Sequence, residues 1–166
     1  GLQIAKTLIR RNAPMNEIRR QDLWFRTGKF ESKLGQFENA IKSYRQAIKS
    51  KRPDVHSNLI DAMISAKKLP SAIETEAKKY LAAFPKRDDR YSPLIKAANA
   101  AAEAKEFTRA LTLAESVMRH EVNIQNLPQS YVKWCGENSS LAARGLLKLI
   151  AETPKGVGTL RAVLAL

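Results

Sequence analysis

Apolar positions along this chain recur at helical spacing, in short runs broken by turns. Ala40, Ile41, Tyr44, Ala47 and Ile48 fall on one stripe of a helix expected over 38–51. Ahead of it, Trp24 to Lys33 reads as one helix, and Leu34-Gly35-Gln36 as a tight turn. The arrangement returns in Arg90 to His120, where Leu94, Ala98, Ala101, Phe107, Ala110, Ala114 and Val117 take the corresponding places. Phe107 precedes Ala110 by three, as Phe37 precedes Ala40. A weaker copy lies between them, with His56, Asn58, Leu59, Ala62, Met63, Leu69 and Ala72. Its second helix is expected over Ala72 to Phe84 and ends at Pro85. A degenerate unit covers Gln125 to Pro154, with Gly136 at its turn and Ala142, Leu146 and Leu149 beyond. Leu2 to Arg11 reads as a further helix, and Leu160 to Leu166 as the start of another.

The small residues have a packing role. Two antiparallel helices approach closely only where a side chain is small, so Gly28 and Ala40 are expected at one crossing and Ala47 at the next. Trp24 and Tyr44 should fill the space beside them. The series Trp24, Gly28, Phe37, Ala40, Tyr44, Ala47, Pro53 resembles the tetratricopeptide repeat, a helix–turn–helix unit of about 34 residues. Thr27 and Glu31 depart from it, standing where a leucine and an aromatic are usual. The resemblance covers roughly Gln21 to Pro154. It implies an all-α, right-handed superhelical stack of three units plus a degenerate fourth. Residues 1–20 then form a basic helical flank, 21–154 the repeat domain and 155–166 a C-terminal capping helix.

The resemblance further implies a concave groove lined by the first helix of each unit. Phe25, Lys29, Ser32 and Lys33 fall there in the first unit, Asn58, Asp61 and Ser65 in the second, and Ser92, Ile95, Lys96 and Asn99 in the third. Phe25, Lys29, Lys33, Asn58, Lys96 and Asn99 are the candidate peptide-binding set. In the subgroup that clamps a chaperone's C-terminal carboxylate, only Asn58 and Lys96 would match, so that role is not expected. The function expected is protein–protein interaction as an adaptor or scaffold, with an acidic peptide or protein as partner. A solvated groove is the plain alternative.

Charge adds a second candidate. The net charge is +13, and the surplus is concentrated early: 13 Lys/Arg stand against four acids up to Pro53, and 16 against 12 thereafter. Lys42, Arg45, Lys49 and Arg52, at spacings of three, four and three, should form a basic ridge opposite Ala40 and Tyr44. Arg10, Arg11, Arg19 and Arg20 precede it. Such a ridge could hold RNA, DNA or a nucleoprotein assembly, or could simply be a solvated face. No alternating aromatics are present to stack bases.

Catalytic chemistry is not expected, nor any cofactor or metal. His56 and His120 belong to different units and lack a Cys or carboxylate at ligand spacing. Cys135, between Trp134 and Gly136, reads as a small buried residue. Asp88-Asp89 reads as a helix cap before the third unit, and Gly156-Val157-Gly158 lacks the ending of a phosphate loop. An accessory domain of a larger enzyme is the remaining alternative. A single cysteine suggests a reducing, cytoplasmic compartment, although a targeting segment upstream of Gly1 stays open. There is no apolar run long enough to span a membrane. The apolar strip Leu160, Val163 and Leu164 is expected to pack near Leu146 and Leu149, with a longer chain or self-association at that end.

Overall fold

The computed structural model describes residues 3–4, 6–7, 16–120, 127–136 and 139–152. Among them it is all-helical, with eight α-helices that pack on one another within each of two units. The chain divides into two compact units, Gly1–Arg90 and Tyr91–Leu166. The expected C-terminal strip of Leu160, Val163 and Leu164 lies outside the described residues, as do Arg10, Arg11 and the side chains of Leu146 and Leu149.

The first unit holds α1 (Glu17–Lys33), α2 (Phe37–Ala47), α3 (Pro53–Ser65) and α4 (Pro70–Ala83). Asn16 caps α1 by accepting a hydrogen bond from the Arg19 amide at 2.9 Å, with Glu17 in the first turn and Lys33 in the last. Glu17 to Arg20, expected in the flank, are therefore the opening turn of α1. Proline opens both α3 and α4, where its missing N–H leaves nothing unpaired. α1 packs on α2, α2 on α3 and α3 on α4, and α1 also touches α3. The core holds Ala40, Ile41, Tyr44 and Ala47 of α2, Val55, Leu59, Ile60 and Met63 of α3, and Ile73, Ala77 and Tyr80 of α4.

The small residue on α1 has a specific partner. A Cβ at Gly28 would meet the Tyr44 ring at 2.7 Å, so the glycine is what lets that ring lie against α1. The aromatic beside it is Phe25, at 6 % exposure and 6.0 Å from the Tyr44 ring, while Trp24 is only half-buried. The core-filling place expected of Trp24 belongs to its neighbour, one residue further round the helix.

The second unit holds α5 (Ser92–Glu103), α6 (Phe107–Met118), α7 (Leu127–Trp134) and α8 (Ser139–Glu152). α5 packs on α6, and α6, α7 and α8 pack on one another. Ala97, Ala98, Ala101, Ala110, Ala114 and Val117 are wholly buried, so the α5–α6 pair meets through small side chains. Tyr131 of α7 is also buried, and its hydroxyl lies where a Cβ on Gly145 of α8 would fall.

One turn recurs in both units. The second residue after the end of α1, α3, α5 and α7 is left-handed: Gly35 (φ 71°), Lys67 (51°), Lys105 (62°) and Gly136 (62°). In the first three turns the next amide reaches back to the last full turn of the helix. Gln36 donates to Glu31 O (2.9 Å), Lys68 to Met63 O (3.0 Å) and Glu106 to Ala101 O (2.8 Å). These are Schellman closures, which satisfy helix carbonyls that would otherwise be orphaned.

The turn between α3 and α4 is one residue longer, 66–69, than those at 34–36 and 104–106. The extra residue corrects the register expected for this unit. Ala40 and Ala110 are fully buried, but Ala72 is exposed, and Ile73 (1 %) takes the buried place. Leu69, expected to match Phe37, stands 71 % exposed. Asp89, expected as a helix cap, instead accepts hydrogen bonds from the Tyr80 hydroxyl (3.0 Å) and Arg87 Nε (2.7 Å). It ties the segment after α4 back onto α4.

Candidate binding surfaces

The candidate groove residues fall in both units. In the first, Phe25 is a floor and not an exposed contact. Lys29 Nζ lies 5.6 Å from its ring centroid and the Arg52 guanidinium 4.5 Å, both within cation–π range. Lys29 and Lys33 are exposed, one turn apart on α1. Asn58 is half-buried, and its Nδ2 donates to the Asp54 carbonyl at 2.6 Å. It lines a hollow of about 380 Å³ together with Asp54, Ser57, Tyr80, Arg87 and Asp89. In the second unit, Lys96 is half-buried and Asn99 exposed, three residues apart on α5.

The basic ridge is shorter than its spacing suggests. Lys42, Arg45 and Lys49 are exposed, and Arg52 is not part of their face. The α-helix ends at Ala47, a 3₁₀ turn covers Ile48–Ser50, and Lys51 is left-handed (φ 51°), so the helical phase is lost before Arg52. Arg52 turns inward over Phe25 and pairs with Asp54 (2.6 Å) and Asp22 (3.3 Å). Its hydrogen bond to Asp54 raises the guanidinium pKa further and holds the Asp54 carboxyl below its usual range.

Three anchored carboxylates escaped the linear reading. Glu31, nearly inaccessible, accepts from Ser43 Oγ at 2.6 Å and pairs with Lys6 at 2.9 Å. The residue that departs from the expected pattern is thus a buried acid with two partners. Glu76, also buried, sits 3.4 Å from His56 Nδ1 and 3.3 Å from Lys79 Nζ. The His56 contact is not aligned as a formed hydrogen bond, and both facing atoms have no other partner. The nearby imidazole and Lys79 still outweigh burial and hold the Glu76 carboxyl below its usual range. The His56 ring is packed edge-on against Tyr80 and Phe84. Asp89 is the third. Lys79 and Arg87 are local partners, but Ser43 and Lys6 for Glu31, His56 for Glu76 and Tyr80 for Asp89 stand nine or more residues away, beyond any local spacing rule.

In the second unit the Tyr131 hydroxyl donates to Glu115 at 2.7 Å, and burial together with that bond pushes the phenol pKa up. Cys135 is half-buried, and its thiol is pushed up by burial and then by Glu115, the opposite of an activated nucleophile. His120 stacks on Tyr91. Among the described residues no group of three or more His, Cys, Asp or Glu could hold a metal ion, and no helix is long and apolar enough to cross a membrane. No family model matches the chain, and no curated protein matches it significantly.

Proposed function

We propose that this chain is a repeat module of the tetratricopeptide kind that binds a partner protein through the exposed faces of its first helices. The observation that carries this reading is the recurring helix pair. Four first helices end in a left-handed residue at the same place, and three close with the same backbone bond. Stacked pairs of this kind form extended interaction surfaces. In the first unit the face offered is cationic at Lys29 and Lys33 and amide-bearing at Asn58. In the second it carries Lys96 and Asn99. Cationic and amide groups on a rigid helix face suit an acidic, extended segment, with Asn58 and Asn99 supplying donors and acceptors for its backbone.

The test is selection of a displayed library of short acidic peptides on the full chain, followed by affinity measurement by fluorescence anisotropy. Enriched peptides should lose affinity about tenfold or more with Lys29→Glu or Asn58→Ala, because each removes a polar contact at the interface. Peptides that bind equally well to both variants, or no enrichment at all, would remove this reading.

A further inference from the structure

The first unit is the charged half of the molecule. It carries 20 Lys/Arg against ten Asp/Glu, while the second carries nine against six. Where the surplus lies depends on which acids are already engaged. Asp22 pairs with Arg26 and Arg52, Glu31 with Lys6, Asp54 with Arg52, Glu74 with Lys78, Glu76 with Lys79 and Asp89 with Arg87. None of these pairs engages Lys42, Arg45 or Lys49, which follow one another along α2 and the 3₁₀ turn after it.

The buried stripe of that helix is Ala40, Ile41, Tyr44 and Ala47. The opposite stripe runs Glu38, Lys42, Arg45 and continues to Lys49, and all four are exposed. Glu38, the one acid on it, is paired with Lys68 from the α3–α4 turn at 2.5 Å. Every exposed residue from Phe37 to Ser50 is polar: Glu38, Asn39, Lys42, Arg45, Gln46 and Lys49. A protein interface needs a desolvated apolar or aromatic anchor at its centre, and this face offers none. A phosphate backbone needs only cations at the right interval. From Lys42 to Lys49 the helix rises about 10 Å, over which one strand of a duplex presents about three phosphates.

We propose that the outer face of α2 is a docking strip for the sugar–phosphate backbone of a nucleic-acid duplex, held by Lys42, Arg45 and Lys49. The strip is expected to bind without base stacking, because no aromatic is exposed on it. It stands apart from the peptide-binding reading, whose residues lie on α1, α3 and α5.

The experiment is anisotropy titration of the full chain with a short mixed-sequence DNA duplex and a matching RNA duplex across a salt series. Three phosphate contacts predict a slope of log K against log salt of about −2.7, a loss of about 40-fold between roughly 50 and 200 mM. Lys42→Glu/Arg45→Glu/Lys49→Glu should abolish that binding, and Lys42→Gln/Arg45→Gln/Lys49→Gln should flatten the slope toward zero with unchanged helicity. Lys86→Glu/Lys105→Glu/Lys133→Glu, an equal charge change at exposed positions elsewhere, should keep most of the slope. Lys29→Glu and Asn58→Ala should leave duplex binding in place, so failure of the peptide reading does not count against the strip. No duplex binding at low salt overturns the proposal, as does an equal loss in the control triple, which would mean diffuse attraction. Binding of polyglutamate without duplex overturns it in favour of an acidic protein partner.

Discussion

Gly28→Ala adds a single methyl at the closest approach of α1 and α2. The new Cβ would stand 2.7 Å from Tyr44 Cδ1 and Cε1 and 3.1 Å from Cζ. Carbon atoms in contact prefer about 3.5–4.0 Å, so ring and helix must separate by most of an ångström. Tyr44 has little freedom to yield. It is 1 % exposed, its hydroxyl lies 3.3 Å from Ser32 Oγ, and the Phe25 ring centroid stands 6.0 Å from its own. Overpacking of this kind costs about 1–3 kcal/mol, against a helix-propensity gain of about 1 kcal/mol for replacing a mid-helix glycine by alanine. The net expectation is a loss of about 0–2 kcal/mol. The decisive quantity is therefore the coupling with Tyr44. Urea unfolding followed by far-UV circular dichroism on wild type, Gly28→Ala, Tyr44→Leu and the double variant isolates it. With Tyr44→Leu in place the ring is gone, and Gly28→Ala should become neutral or stabilising by up to about 1 kcal/mol. The coupling should be about 1–3 kcal/mol. A coupling below about 0.5 kcal/mol, or a wild-type background stabilised by Gly28→Ala, would refute the argument.

Three further outcomes are expected. Lys67→Gly and Lys105→Gly relieve a left-handed conformation that costs a lysine about 1 kcal/mol, and each should raise stability by about 0.5–1 kcal/mol in the same urea assay. Glu76 has a folded pKa below its unfolded one, so its contribution is complete above about pH 4.5 and is lost as pH falls through the folded value. Glu76→Gln should cost about 1–3 kcal/mol near neutrality and flatten the acid limb of a melting-temperature profile. Gly145→Ala should be destabilising in wild type, where the new Cβ meets the Tyr131 hydroxyl, and better tolerated on a Tyr131→Phe background, as thermal melts of the four proteins would show.

The helix pairs were legible because their signals are local. The apolar stripe of α2, the turn at Gly35 and the small residues at Ala98 and Ala110 all act within one or two turns of chain. The misreadings come from effects of longer range or smaller step. Lysine gives no advance sign of a left-handed residue, so nothing in the sequence marked Lys67 and Lys105 as counterparts of Gly35 and Gly136. One extra residue before Pro70 moved the buried position from Ala72 to Ile73. Trp24 and Phe25 are adjacent and both aromatic, and only packing against Tyr44 decides between them. Arg52 was assigned to a ridge by continuing a helical period through a segment that is no longer α-helical. Of the candidate groove set, Lys29 and Lys33 are exposed on a common helix face, while Phe25 is a floor and Asn58 lines the hollow beside Tyr80.

The Schellman closures bear on how such a chain acquires its structure. Each reverses the chain within three or four residues, so the helix it ends and the helix it starts meet with little loop to close. Helices that pack on their neighbours in sequence give a low contact order, and chains of that type fold in microseconds to milliseconds. During synthesis, α1 and α2 can pair before α4 has left the ribosome, since their contacts need nothing downstream. Mutations at Gly28 or Tyr44 would then slow folding itself, and mutations in later pairs would chiefly speed unfolding.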